Sequence, residues 1–224
     1  WPLPQTGQMW LEHELLTNPD SPGFFCVSTS YRQEPNAIPG RHDIIFPMFE
    51  FEMPGDLNAL KKMEYELVEY LGFKKPTEKT YADWQNHYGI KYDEELTAEH
   101  ETKMYEDFTT AMITNFPEMT SPFWNMSRYW DGETSKKIDV ILGGMETIGS
   151  AERSTNVDQM RDTFHSITDG AYSKLLFELF GKERVEAELE EFLKFDFFPR
   201  VGGGIGMTRM IAAVEKAQEW RQAK

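Results

Sequence analysis

The chain of 224 residues contains one cysteine, Cys26, and nothing near the roughly 18 consecutive apolar residues of a membrane-spanning helix. A lone thiol cannot form an intramolecular disulfide, so the fold must rest on its core. Sparse cysteine also fits a reducing compartment, the cytoplasm. Positive charge is scarce: 23 Lys and Arg stand against 38 Asp and Glu, for a net −15. A broad grip on nucleic acid needs many Lys/Arg–phosphate contacts, and this balance argues against it. It leaves room for a phosphorylated small molecule held by a few arginines and a metal. The five histidines (His13, His42, His87, His100, His165) show no metal-ligand spacing, and no Ser/His/Asp order or Cys–His pair stands out. Repeats and low-complexity tracts are absent. What is present suffices for a sizeable core, with 40% hydrophobic and 14% aromatic residues. The length suits a single domain over 1–224. The chain opens at Trp1 rather than Met, in sequence that reads as ordered, and so reads as part of something longer.

Phe24 to Arg32 is aromatic and β-branched and follows the turn signal Asn18-Pro19-Asp20-Ser21-Pro22-Gly23, which predicts a strand. A loop containing Pro35, Asn36, Pro39 and Gly40 leads to a second strand, Ile44–Met53. Strand, loop, strand is an antiparallel hairpin. Alternation places Glu50 and Glu52 on one face. Pro47 forfeits a ladder hydrogen bond, which predicts an edge position or a bulge there. Helical spacing of Leu57, Leu60, Met63, Leu67, Val68 and Leu71 follows, closed by Gly72. Residues 74–120 have weak periodicity and read as an inserted sub-domain or cap. Lys137–Leu142 and Met145–Arg153 read as two strands joined at Gly143-Gly144, with helices expected near 158–180 and 183–195. Pro199–Gly206 precedes a last helix carrying Arg209. The order predicts an α+β fold, an antiparallel sheet flanked by helices.

Several residues could carry chemistry. The hairpin brings Arg32 and Glu34 to the same end as Arg41 and His42. A guanidinium there is a bidentate partner for phosphate or carboxylate, and Glu34 could accept from an amine or a base edge. A surface Arg–Glu pair is the plainer alternative. Asp139 and Glu146 lie on adjoining strands in apolar surroundings, where carboxylates are costly unless paired or metal-bound. Mg²⁺ takes one or two carboxylates plus substrate phosphate oxygens, and pairing with Lys136, Lys137 or Arg153 is the alternative. Arg153, beyond small residues, suits a substrate carboxylate or a structural ion pair. Gly202-Gly203-Gly204-Ile205-Gly206 fits neither a dinucleotide fingerprint nor a P-loop. Its glycines permit close backbone approach, and Arg209 in the next helix's first turn would favour an anion. Cys26 reads as core, and Pro122-Phe123-Trp124 as packing.

Four ordered segments resemble one family. Gln5-Thr6-Gly7-Gln8-Met9-Trp10-Leu11-Glu12 resembles the Ser-Gly-Gln-Leu-x-Leu-Glu segment of class II aminoacyl-tRNA synthetases of the aspartate/asparagine/lysine subgroup, with the asparaginyl enzymes closest. Tyr31-Arg32-Gln33-Glu34 through Arg41-His42 and Phe46 to Glu52-Met53 is similar to their second signature motif. Asp139, Glu146 and Arg153 fall at the family spacing, and Pro199 to Arg209 is similar to the third motif, Gly-x-Gly-x-x-Arg.

The resemblance implies an ATP site on an antiparallel sheet. In it Arg32 holds the α-phosphate, Glu34 the adenine amino group, and Phe46 stacks on adenine. Arg41, His42 and Arg209 bind the outer phosphates beside Gly204 and Gly206, and Asp139 and Glu146 hold Mg²⁺. Gln8, Glu50 and Arg153 meet the amino acid, with Arg32 and Arg209 the catalytic pair. Three departures stand out: Ile45 in place of Glu, Leu11 where aspartyl enzymes carry Lys, and Arg200 in place of His. The resemblance finds no anticodon-binding domain within these 224 residues, and would put the first motif, which builds the family's dimer interface, upstream of Trp1. With the net −15, this implies a tRNA-independent, homodimeric paralogue resembling the ammonia-using asparagine synthetases. Such an enzyme would make an acyl-adenylate from aspartate or a relative and pass it to ammonia or a small amine, with tRNA the less expected acceptor. Pro122-Phe123-Trp124 is similar to a segment of archaeal relatives of that kind. An aminoacyl-tRNA synthetase lacking its anticodon domain, or a non-catalytic ATP- or amino-acid-binding paralogue, are the alternatives.

Overall fold

A computed structural model describes residues 4–32, 38–41 and 43–222, with side chains to 219. Helix α1 (Gln8–Thr17) precedes strands β1 (Phe24–Tyr31) and β2 (Ile45–Pro54). Then come α2 (Leu57–Tyr70), β3 (Thr77–Thr80), α3 (Tyr81–Tyr88), α4 (Ala98–Phe108) and β4 (Thr110–Pro117). The remainder is β5 (Thr134–Leu142), β6 (Met145–Glu152), α5 (Val157–Ser166), α6 (Ala171–Phe180), α7 (Lys182–Phe192), β7 (Arg200–Gly206) and α8 (Met207–Gln222). The strands form one sheet in the order β1-β2-β7-β6-β5-β4-β3, antiparallel throughout except for the parallel pair β3–β4.

Period-two alternation decides which face is which. Met112, Ile138, Val140, Leu142, Ile148, Val201 and Ile205 point to one side and pack beneath α2 and α8 with Leu57, Leu60, Val68 and Met210. α2 can start where it does because Asp56 accepts the Ala59 N–H at 2.9 Å. On the opposite face α1 covers one end. At the other end α3 and α4 cover β4 through Trp84, Met104, Ile113 and Ile141. The middle of that face stays open. A third cluster, Trp124 with Met160, Phe164, Val185, Leu189 and Leu193, ties α5 and α7 to the loop after β4. Trp124 is therefore packing, as expected, while Phe123 also touches the cavity described below.

Three stretches can be set against expectation. Within residues 74–120, β3 and β4 extend the sheet, and the weak periodicity reflects two strands and two short helices gathered around one small core. The helix expected over 158–180 breaks after Ser166, because Thr168, Asp169 and Gly170 all have positive φ (53°, 53° and 79°) and cannot propagate a right-handed helix. Pro47 pairs with Thr29 of β1, and the ladder to β7 begins only at Met48, so the proline sits where its strand has a single neighbour, the edge position expected of it.

Candidate active site

The open face owes its shape to glycine. Cross-strand register lines up Glu50, Gly204, Gly149 and Asp139 in one row, and Glu52, Gly202, Ala151 and Lys137 in the next. Two adjacent glycines leave a trough in the middle of the first row, walled by side chains from β2 and β5. Neighbouring carboxylates lean into the missing volume. A Cβ on Gly149 would stand 2.7 Å from Glu146 Oε1, and one on Gly202 would stand 2.3 Å from Glu52 Oε1. Glycine at these two places is thus a seat for a carboxylate.

The trough has two joined ends. A cleft of about 280 Å³ is lined by Arg32, Arg41, Phe46, Gly204, Gly206 and Arg209, among others. A second space of about 430 Å³ meets Gln8, Glu50, Phe123, Lys137 and Arg153. Both touch Arg32, Met48, Glu146, Gly149 and Gly204. The structure therefore brings together every residue expected to hold phosphate that it describes; Glu34 and His42 lie outside the described residues. The Arg32 N–H donates to the Ile44 carbonyl at 2.8 Å, and its guanidinium carbon lies 5.7 Å from the centre of the Phe46 ring. Arg41 and Arg209 are held by other groups: Arg41 pairs with Glu101, and Arg209 donates to the Glu146 carbonyl at 2.8 Å.

Asp139 and Glu146 face each other across Gly149, where a Cβ would also lie 3.5 Å from Asp139 Oδ1. Lys137 donates to Asp139 Oδ2, which is one of the pairings open as the alternative to a metal. Asp139 Oδ1 is nevertheless buried and accepts no hydrogen bond from any described residue. Burial pushes the Asp139 carboxyl up to about 7, with the Glu146 charge adding to the rise and Lys137 opposing it. A buried acceptor without a donor beside a second carboxylate fits a hard divalent cation that completes its shell with phosphate oxygens and water. Among the described residues no cluster of three or more His, Cys, Asp or Glu could hold a metal unaided. Asp139 and Glu146 are the residues that would hold Mg²⁺.

At the other end, α1 is fastened by β2. The Gly7 N–H and the Ser28 hydroxyl donate to Glu50 Oε2 at 2.9 and 2.7 Å, and Thr6 donates to Oε1. Glu50 lines the cavity, yet its oxygens are taken up in anchoring the loop before α1. Gln8 Nε2 donates to Glu52 Oε1 and to the Phe51 carbonyl, both at 2.8 Å, while Arg153 Nε and Nη2 each reach the same Glu52 oxygen at 2.6 Å. Burial lifts Glu52 to about 7 against the pull of Arg153. Arg153 thus makes the structural ion pair and lines the cavity as well. Leu11 is buried in the core.

Sequence reasoning missed Glu52 and Glu101 as members of this site, and named Lys137 only as a partner for the carboxylates. Alternation did place Glu52 beside Glu50. Lys137 was visible two residues before Asp139, on the same strand face. Glu101 had no local signal, since it sits in the stretch 74–120 and reaches the site only through the fold.

Compared by sequence with curated proteins, the chain finds no match. Its fold is that of several solved structures. Asparaginyl-tRNA synthetase from Pyrococcus horikoshii, complexed with asparaginyl-adenylate, superposes with a TM-score of 0.78 at 20% identity, over 96% of this chain and 53% of that one. Asparaginyl-tRNA synthetase from Entamoeba histolytica, also with asparaginyl-adenylate, gives 0.71 at 20% identity, over 95% and 53%. Aspartyl-tRNA synthetase from the same organism gives 0.72 at 18% identity, over 95% and 48%. The chain spans about half the length of these proteins. A family model describing tRNA synthetases class II (D, K and N) matches residues 1–224 in full. With the motifs gathered on one face of an antiparallel sheet, the chain belongs to that family.

Proposed function

We propose that the chain binds ATP and an amino acid in the two joined cavities and forms an acyl-adenylate. The observation that carries this reading is the shared wall: Arg32, Glu146 and Gly204 touch both spaces, so a carboxylate at the Arg153 end and an α-phosphate at the Arg209 end would meet. A carboxylate oxygen attacks the α-phosphorus, the new O–P bond forms, and the bond to the bridging oxygen breaks as pyrophosphate leaves with its electron pair. In this reading Arg32 holds the α-phosphate, Phe46 stacks on the base, and Arg41 and Arg209 hold the outer phosphates, which their common lining of one cleft supports. Catalysis here is positioning and charge neutralisation. Mg²⁺, when bound, supplies further neutralisation of the phosphate charge. Arg153 and Lys137, paired with Glu52 and Asp139, line the amino-acid end beside Glu50 and Glu146. Aspartate or a relative is the substrate of this reading through the family resemblance, with Arg153 the group nearest to its carboxylate.

For the acceptor, net charge and comparison pull in different directions. The net −15 disfavours a broad grip on tRNA and favours ammonia or a small amine. The amine would attack the acyl carbon, with AMP departing as the C–O bond breaks and the amine losing a proton. The family and its solved members favour the tRNA 3′ end. A homodimer is part of the same reading, supported by apolar side chains on the open edge of the sheet. The chain incubated with ATP, Mg²⁺, aspartate and ammonium, without tRNA, is followed for AMP and asparagine by mass spectrometry. Matched appearance of both supports the free-standing synthetase. Aspartate-dependent pyrophosphate exchange without asparagine moves the acceptor to tRNA. No exchange with any amino acid ends the adenylation reading.

A further inference from the structure

Four residues close a ring of hydrogen bonds around the turn between β5 and β6. Arg41 Nη2 donates to Glu101 Oε2, and the same oxygen accepts the backbone N–H of Glu146 at 2.9 Å. Arg209 Nη1 donates to the Glu146 carbonyl at 2.8 Å, and its Nη2 returns to the Arg41 carbonyl at 3.1 Å. Arg41, Glu146 and Arg209 all line the nucleotide cleft, whereas Glu101 does not. It stands behind them, in the first turn of α4, and that helix has independent support. Thr97 and His100 form a reciprocal cap at its start, and Met104 is wholly buried beneath it. Among the described residues, the Arg41 side chain without Glu101 would keep only the Gly144 carbonyl, at 3.1 Å.

Resting on the adenylation reading above, we propose that Glu101 is a positioning residue for the polyphosphate. From a rigid helix it fixes the Arg41 guanidinium and the Glu146 backbone relative to Arg209, so that the outer phosphates and their cation meet groups already spaced to receive them. One oxygen accepts two donors, and one of them is charged, which makes its loss more costly than that of a neutral contact. Arg41 serves the outer phosphates only, so the effect must depend on the number of phosphates.

The test is calorimetric titration of the chain with ATP and with AMP, each with Mg²⁺. Glu101→Ala is expected to weaken ATP about tenfold or more, the scale of a lost charged hydrogen bond, and AMP by less than about twofold. Glu101→Gln keeps the shape and one acceptor, and should fall between wild type and Glu101→Ala for ATP. It also carries the test if Glu101→Ala fails to fold. ATP and AMP weakened alike, neither changed, or ATP bound more tightly would each overturn the role given to Glu101. A wild-type chain that binds neither nucleotide would instead remove the adenylation reading, and this inference with it.

Discussion

Gly203 and Gly204 are neighbours in β7 with opposite tolerance for a methyl group. A Cβ on Gly203 would stand 2.5 Å from the Ser150 Cβ and 2.6 Å from the Gly149 carbonyl oxygen, and neither can withdraw without moving β6. A Cβ on Gly204 meets the Met48 methyl at 2.4 Å, the far end of a flexible chain that can turn aside. Gly203→Ala is therefore expected to cost about 3 kcal/mol or more, the upper range of overpacking, and Gly204→Ala under about 1.5 kcal/mol. Gly204 floors both cavities, so its alanine variant should still lose nucleotide affinity, because the displaced Met48 side chain and the new methyl both enter the cleft. Urea unfolding checks the first pair of values and nucleotide titration the second. The glycine run was legible as a place of close approach. Which glycine faces the ligand and which faces the neighbouring strand was not, because that depends on register with β6, a strand some 50 residues earlier.

At the scale of elements, α1 is held to the sheet by charges as well as by Leu11, Leu15 and Leu16. Glu12 and Arg200 are both fully buried: Arg200 Nε reaches Glu12 Oε1 at 3.0 Å, and Asn125 donates to Glu12 Oε2 at 2.6 Å. Arg200 spends its remaining donors on the Ser154 and Phe198 carbonyls at 3.1 and 3.2 Å. Removing one partner of such a pair leaves an uncompensated buried charge. Glu12→Ala should thus destabilise the chain by about 3–5 kcal/mol, whereas the double change Glu12→Leu with Arg200→Met should recover much of that. Denaturant midpoints of the single and double variants decide it, and a double variant no more stable than the single would show that the charges stabilise by more than mutual neutralisation.

The strands were readable because alternation and turn residues agree locally, and Arg200 stood out in the glycine segment. Its partner did not, since 188 residues separate them in the chain. For the same reason Glu101, 60 residues from Arg41, was invisible before the fold placed α4 over the β5–β6 turn.

The whole molecule presents two unlike sheet edges. β3 is four residues long and reads Thr-Glu-Lys-Thr; its Glu78 pairs with Lys61 at 2.5 Å, and such short, charged edges resist further pairing. β1 runs for eight residues without a charge, and Phe25 and Val27 are 70% and 68% exposed on the face away from the cavities. Phe25 stacks on Phe49 with ring centres 5.5 Å apart. The apolar surface continues as a groove of about 590 Å³ bounded by Phe51, Met53, Met63, Leu67 and Met210. An uncharged edge strand beside an apolar groove is a surface that water disfavours and a second copy of the chain can cover. Self-association through this edge is expected. Val27→Lys should abolish it by placing a charge at the centre of the row, while leaving nucleotide binding intact because Val27 faces away from the trough. Sedimentation of the two chains side by side is the check: a wild type that stays monomeric, or a Val27→Lys variant that associates as strongly, would assign the apolar edge to something other than self-pairing.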